Sequence, residues 1–449
     1  MNFPKPVVGL AFLLFLVSCA GDGQFQLAAN NVDSAVKRAP SKGISIHIPG
    51  DPYFIQVSDV HFNSKVTTTN YGDDTGQKLW TKTKAKLTEI IRQRPAPQFI
   101  VYTGDLPAHY ACDKTCFIPP DQRKTHNTNI AQILIDLRQL VDDTGIPLLF
   151  APGNNDSLAG NYYSFADRNN ETLLSLTPDH ENTYPALNSM HTCGNTPCIL
   201  SNPHPQMGYY SARPTDGLRV ITLNSIIFGH KYQQVDGVMQ TDAGNTQMNW
   251  LSTELAAARL NGEKVLIIMH IPPGKDAYAV AHNKKPVQMW TELPLSGNSW
   301  TNQFLGLAEK YQSEITGILY GHTHMDEVRR LYDVDGIQIT EVAVSAPGVT
   351  PLHHNNPGIK VYWYNSSTKE LLDFETHYTT PTALSWGKQS YRFSTIFRCD
   401  ANSTIYQCLS DASLTDVNTA MGTIFTVMNG APAYQTMSGI EVKAEKPER

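Results

Sequence analysis

Apolar residues recur along the chain in two alternating patterns. Short continuous apolar runs, bounded by Gly, Pro, Asn or Asp, read as buried strands at residues 53–58, 98–103, 146–151, 218–223, 264–269 and 315–320. Between them, apolar residues three or four apart read as amphipathic helices. These are 78–93, with Leu79, Leu87, Ile90 and Ile91 mostly on one face, and 127–143, where Ile130, Leu134, Leu137 and Val141 step by four, three and four. Two more are 246–260, with Met248, Leu251 and Leu255 inward, and 301–312. Strand–helix–strand alternation predicts an α/β fold: a parallel-rich sheet with helices packed on it. Beyond residue 320 the pattern changes to successive strands at 328–332, 337–344, 359–364 and 371–377, as antiparallel pairing requires, which adds an α+β part. Residues 157–207, rich in Asn, Ser, His and Pro, read as a long insertion near the site, and the chain from 380 onward reads as a small helical region.

Composition changes this picture little. The 449 residues are 41% hydrophobic and 17% charged, with net charge −6, so no basic excess points to a nucleic-acid polymer. An anionic substrate would have to be held by local charge, such as bound metals. The N-terminus changes the picture more. Lys5 precedes an apolar run over 7–17, too short to span a bilayer and suited to a secretory signal over residues 1–18. Leu16-Val17-Ser18-Cys19 resembles a bacterial lipobox. That implies lipidation of Cys19, a tether over 19–50 and membrane association through an N-terminal lipid anchor; the alternative is an ordinary signal peptide. Ala20, where Asp would favour inner-membrane retention, implies an outer-membrane lipoprotein, periplasmic or surface-facing, or else a secreted protein. Six further cysteines fall into three close pairs, Cys112/Cys116, Cys193/Cys198 and Cys399/Cys408, which predicts nearest-neighbour disulfides in an exported chain. A cysteine zinc site is the weaker alternative, since no paired histidines accompany them.

The candidate chemistry lies where the strand runs end. Five blocks follow in order: Asp59-Val60-His61, Gly104-Asp105, Gly153-Asn154-Asn155-Asp156, His270, and Gly321-His322-Thr323-His324. Asp59 and His61, like His322 and His324, have the i, i+2 spacing that points two side chains one way from a strand. The carboxylate of Asp105 can bridge two ions, and Asn154 adds a carbonyl oxygen. Asp59, His61, Asp105, Asn154, His270, His322 and His324 are therefore the expected metal ligands. Mixed O/N ligation without thiolate suits two divalent ions, zinc first, with Mn, Fe or Co also compatible.

In this order the blocks resemble the calcineurin-like metallophosphoesterase superfamily over roughly residues 52–378. Gly104-Asp105-Leu106-Pro107-Ala108-His109, His270-Ile271-Pro272-Pro273-Gly274 and Gly321–Glu327 are similar to its acid sphingomyelinase-like phosphodiesterase subgroup. The resemblance implies a sandwich of two mixed β-sheets flanked by helices, occupying residues 51–379, with a C-terminal helical region at 380–449. It further implies that Asp59, His61, Asp105 and His324 hold one metal, and Asp105, Asn154, His270 and His322 the other. A hydroxide bridging the ions would attack phosphorus in line. The family usually has His after the Asn of the third block, to contact the phosphate and protonate the leaving group. Here Asn155 stands there. An amide donates a hydrogen bond but yields no proton near neutral pH, so His109 becomes the expected general acid and Asn155 a hydrogen-bond donor to phosphoryl oxygen.

The expected function is hydrolysis of phosphodiesters, the substrate being a phosphate-ester small molecule or a lipid head group. Two alternatives are a phosphomonoesterase or nucleotide pyrophosphatase, and a catalytically weak metal-binding lipoprotein, for which Asn155 is the sole support. A lipid-specific role is less expected, because leader and tether leave too few residues for a saposin-like module. Asn63 and Tyr71 are candidate substrate contacts. Asp326 and Glu327 are candidate partners orienting the imidazoles, and Tyr162, Tyr163, Tyr209 and Tyr210 candidate residues of the pocket mouth. The segments 180–207 and 353–356 are candidate pocket walls.

Overall fold

Two β-sheets lie face to face, and their central strands are buried on both faces, so each sheet needs cover on two sides. The computed structural model describes residues 50–93, 95–110, 115–177, 192–193, 196–276, 287–291, 298–424 and 440–445, all within one compact unit, 42–449. In the N-terminal half, β1 (Tyr53–Val57), β2 (Ile100–Tyr102) and β3 (Leu148–Phe150) pair in parallel. The crossovers are α1 (Gln77–Ile91) and α2 (Pro120–Thr144), as parallel strands require connections of a dozen residues or more. A short hairpin of β4 (Thr192–Cys193) and β5 (Thr196–Pro197) leads into β6 (Ile199–Ser201), β7 (Tyr210–Thr215) and β8 (Leu218–Thr222). Then α3 (Gln240–Asn261), β9 (Lys264–Ile268), α4 (Trp300–Lys310) and β10 (Ile315–Tyr320) repeat the parallel crossover.

The remaining elements close both sheets. They are β11 (Val328–Tyr332), β12 (Ile339–Ser345), β13 (Gly358–Tyr364), β14 (Leu371–Tyr378), β15 (Ser390–Arg392), α5 (Phe393–Phe397), α6 (Ile405–Asp411), α7 (Leu414–Ile424) and β16 (Glu441–Val442). The first sheet runs β15-β14-β13-β1-β2-β3, the second β16-β11-β12-β10-β9-β8-β7-β6, and both are mixed. Alternation along each strand divides the core. Phe54, Val101, Leu149, Val220, Ile268, Leu319, Val344 and Tyr362 fill the space between the sheets. Ile55, Val57, Ile100 and Phe150 point the other way, onto Trp80 and Leu87 of α1 and Ile130, Leu134 and Leu137 of α2. Ile221, Val265 and Ile318 meet Leu251 and Leu255 of α3 and Phe304 of α4.

The predicted mixed α/β sandwich flanked by helices is the fold observed, with differences at element ends. α2 starts at Pro120 rather than 127: its first turns are polar and carry no apolar periodicity, while the proline pre-sets the initial helical φ. α3 likewise begins at Gln240, where Gly244 lets the Trp300 ring lie where a Cβ would sit 2.3 Å from it. The expected insertion is not one loop: Leu173–Leu176 forms a 3-10 turn and β6 becomes an edge strand, while 178–191 lie outside the described residues. The tail is more than helical, since β15 and β16 extend one sheet each. Phe393, Cys399, Cys408 and Leu409 join the inter-sheet core. Two disulfides, Cys193–Cys198 and Cys399–Cys408, have the nearest-neighbour pairing expected; Cys112, like residues 1–49, lies outside the described residues.

Candidate metal centre

Five parallel strands from the two sheets end at one edge, and each of the five sequence blocks starts there. β1, β2 and β3 end at Val57, Tyr102 and Phe150; β9 and β10 end at Ile268 and Tyr320. Carboxyl ends of parallel strands are where α/β sheets build ligand sites. Hydrogen bonds stitch the blocks together: Asp59 N–H donates to Gly104 O (3.0 Å), Gly321 N–H to His270 O (3.1 Å), and His270 Nδ1–H to Thr103 O (2.6 Å) across the sheets.

The i, i+2 spacing works differently from the strand geometry expected. Asp59 (φ 48°), His61 (44°), Asp105 (65°), His322 (71°) and His324 (60°) all have left-handed backbones, past the strand ends. Paired αL turns, not pleats, aim each pair inward. Each such residue costs roughly 1–2 kcal/mol, a strain that folded proteins concentrate at functional sites. Glycines make the crowding possible: a Cβ on Gly153 would lie 2.2 Å from Asp105 Oδ1, and one on Gly104 (φ 95°) 2.6 Å from His270 Nδ1.

Asp105 Oδ2 is the hub. His61 Nε2 lies 3.3 Å from it and His270 Nε2 3.2 Å. On one side, His61 Nε2 is 3.2 Å from His324 Nε2, and His324 Nε2 is 3.5 Å from Asp59 Oδ1. On the other, His270 Nε2 is 2.9 Å from Asn154 Oδ1, and ligand atoms of Asp105, His270 and His322 lie within 4.8 Å of one another. His61 Nδ1 and His270 Nδ1 both face backbone carbonyls, of Pro107 (3.0 Å) and Thr103, so those nitrogens carry the protons. Each Nε2 is then the nitrogen left to ligate a metal ion. Asn154 Nδ2 donates to Asn161 Oδ1 (2.8 Å), which turns Asn154 Oδ1 inward. So many nitrogen and oxygen acceptors converging on one point fit a cation, and the oxygen–imidazole mixture fits divalent metal ions. The structure thus brings the seven expected residues together around Asp105, and His109 lies among them, clustered with His61 and His324.

The electrostatics agree with that fit. Burial, then neighbouring positive charge, holds His322 and His324 well below the ordinary imidazole value. Burial and His109 lower His61. These three are neutral, the form that ligates. Burial opposes ionisation of Asp105, yet His270 and His61 outweigh it and keep Asp105 well below the usual carboxylate range. Burial likewise opposes charge on His270, but Asp105 and Asp59 push it up to about 9. Burial, against His270, raises Asp59 to about 7. Metal ions bound here would displace protons from Asp59 and His270.

His109 stacks on His61, ring centroids 3.9 Å apart, and is half-buried. Its Nδ1 is 2.8 Å from Asp74 Oδ1, and its backbone N–H donates to Asp74 Oδ2 (2.9 Å). Burial lowers its pKa, but Asp74 prevails and the net shift is upward. Asn155 is not aimed at an open pocket. It is 1% exposed, and its backbone N–H (2.7 Å) and Nδ2 (2.9 Å) both donate to Asp105. Asn155 thus helps to hold Asp105 in place.

Asp326 and Glu327 do not orient the histidines. The turn at His324 sends Asp326 between the sheets, to Lys360, Thr376 Oγ1 (2.6 Å) and Tyr391. Glu327 pairs with Arg329 and Tyr320. Tyr210 is core, its hydroxyl bound to the Phe150 backbone; Tyr209 is buried, and Tyr163 donates to Thr115 O. Tyr162 does reach the centre, its ring edge-on to His322 at 6.2 Å. Asn63 is engaged with its own loop and Tyr71 with Asn356. Of the candidate wall segments, His353 packs on His324, ring centroids 4.6 Å apart.

Sequence reasoning assigned no role to three residues that shape the centre. Asp156, 0% exposed, accepts the backbone N–H groups of Gly153 (2.6 Å), Asp105 (2.9 Å) and Leu106 (2.8 Å). Arg329 donates to Pro273 O (3.0 Å), Lys275 O (3.1 Å) and Glu327, tying the loop after His270 to the one after His324. Asp74 holds His109. Only Asp156 had a signal, its place inside the third block.

A family model described as calcineurin-like phosphoesterase matches residues 52–326. The Dictyostelium discoideum protein named sphingomyelinase phosphodiesterase C is 26% identical over 334 residues, covering 70% of this chain and 64% of that one. The Mus musculus cyclic GMP-AMP phosphodiesterase SMPDL3A is 33% identical over 184 residues, 39% of this chain and 38% of its own. The Bos taurus sphingomyelin phosphodiesterase is 34% identical over 175 residues, 38% and 24% respectively. The chain thus spans less than two thirds of the length of each of these relatives.

Proposed function

We propose, since this chain belongs to the calcineurin-like phosphoesterase family, that it hydrolyses phosphodiester bonds at a centre of two divalent metal ions outside the cytoplasm. The observation that carries this is the gathering of six acceptor side chains around the carboxylate of Asp105. Asp59, His61, Asp105 and His324 would hold one ion; Asp105, Asn154, His270 and His322 the other. Such ions supply Lewis acidity toward phosphoryl oxygen and ease ionisation of water. Zinc suits the donor set best.

The chain's own groups do the rest. Asp156 and Asn155 fix the position of the shared Asp105. Asp74 binds His109 through Nδ1, which leaves Nε2 as the nitrogen free to give a proton to the departing oxygen. The upward shift of His109 favours the protonated form this role needs. Asn155 supplies no proton, so esters with acidic leaving groups should react with least dependence on His109. The names of the relatives support a phosphate-ester small molecule or lipid head group as substrate. Two disulfides fit an oxidising compartment. Among the described residues no helix is long and apolar enough to cross a membrane. Membrane attachment would then rest on lipidation of Cys19, which mass analysis of the mature N-terminus tests.

The assay is hydrolysis of bis(p-nitrophenyl) phosphate, p-nitrophenyl phosphate, ATP and sphingomyelin by metal-loaded protein. Preference for diesters is the expected result. Activity confined to the monoester or ATP would replace this reading with a phosphomonoesterase or pyrophosphatase.

A further inference from the structure

The centre opens to solvent beside His109 and His322, while His61 and His270 are fully buried. On the His322 side stand two residues that the chemistry above does not use. Tyr162 has φ 64°, rare for a bulky side chain. Its backbone N–H donates to Asn154 O (2.7 Å), which fixes it to a ligand-bearing loop, and its ring meets His322 edge-on. Over the ring face lies the Lys231 ammonium, 5.1 Å from the centroid. Lys231 is exposed but its backbone is pinned. Gln233 N–H donates to Tyr162 O and Ser164 N–H to Gln233 O (both 2.9 Å), and His230 N–H donates to Met289 O (3.2 Å). The field of the Asp276 carboxylate also reaches Tyr162. Among the described residues no ion pair involves Lys231. A strained aromatic thus carries an exposed cation at the mouth of the candidate metal centre.

We propose that Tyr162 and Lys231 form a specificity subsite beside His322, selecting phosphate esters whose non-leaving arm carries a second anionic group over esters whose arm is cationic. This rests on the phosphoesterase reading. Tyr162 is the platform and Lys231 the charge that discriminates, through long-range attraction screened by salt.

The test uses three p-nitrophenyl phosphodiesters with one leaving group and different second arms: choline (cationic), ethanol (neutral) and 3-hydroxypropanoate (anionic). A common leaving group removes any contribution of His109 from the comparison. For the wild type, kcat/KM should rank anionic, neutral, cationic, with the outer two differing by about fivefold or more at low salt and less at high salt. In Lys231→Ala the ratio should collapse toward that set by the centre alone; Lys231→Glu should invert or flatten it and Lys231→Arg should keep it. Ratios unchanged in Lys231→Ala and Lys231→Glu overturn the proposal while leaving the phosphoesterase reading intact. Hydrolysis of none of the esters overturns that reading, and this proposal with it.

Discussion

Replacing Asp156 by Asn should weaken metal binding while leaving the metal-free fold nearly as stable. The carboxylate accepts Gly153 and Asp105 N–H at Oδ2 and Leu106 N–H at Oδ1. An amide can keep its oxygen at the Oδ2 position, but its NH2 then faces Leu106 N–H, donor against donor. Orphaning that buried N–H and weakening two charge-assisted bonds costs about 2–4 kcal/mol. The opposing effect is similar in size. Burial, then Asp105's charge, raises Asp156 from 3.8 to about 6, which corresponds to about 3 kcal/mol removed with the carboxylate. The two nearly cancel in the metal-free protein. They do not cancel with metal bound, because the backbone that aims Asp105 and Asn154 has lost its anchor; removal of such a partner lowers metal affinity about 10–100-fold. At saturating metal that is a loss of about 1.4–2.7 kcal/mol in unfolding free energy. Urea unfolding with and without metal, beside a zinc titration, measures both numbers. Unchanged affinity, or equal destabilisation in both states, would show that Asp156 is a scaffold residue only.

Three further outcomes are expected. His109→Ala should slow release of alkoxide leaving groups by about 100-fold or more and of p-nitrophenolate far less; equal losses across a leaving-group series would remove His109 as the acid. Arg329→Lys keeps charge but loses the fork that spans Pro273, Lys275 and Glu327. It should lower metal affinity and kcat more than KM, and wild-type kcat would count against the tie between the two histidine loops. Burial lowers His126 from 6.5 to about 4. The folded state therefore binds fewer protons than the unfolded one, and this contribution, fully present above pH 6.5, is lost as pH falls toward 4. It amounts to about 3 kcal/mol, and His126→Gln should flatten the wild-type decline in melting temperature from pH 6.5 to 4.5; an identical slope would place the acid sensitivity elsewhere.

The clustering of the candidate ligands was legible in the sequence because metal chemistry restricts the residue types and each block follows an apolar strand. The sandwich was legible because strands buried on both faces leave continuous apolar runs. What lay hidden is long-range or conformational. Nothing local announces that Asp59, His61, Asp105, His322 and His324 share a left-handed backbone. Asp326 and Glu327 sit beside His324 in sequence, yet the turn carries them to Lys360 and Arg329. Asp105 and Leu106, which Asp156 anchors, lie about fifty residues away, and Pro273 and Lys275, which Arg329 ties, more than fifty. The contact of Asn155 with Asp105, fifty residues away, was equally hidden.

Metal stoichiometry tests the two-metal centre most directly, measured by elemental analysis of the full chain after loading and desalting, for wild type and Asp105→Asn. Asp105 Oδ2 lies within 3.3 Å of the ligand nitrogens on both sides. The wild type should therefore retain two divalent ions per chain, and Asp105→Asn should lose metal from both positions together with diester hydrolysis. Retention of one ion or none by the wild type, or an Asp105→Asn protein with full metal content and rate, would contradict a centre built on a shared carboxylate.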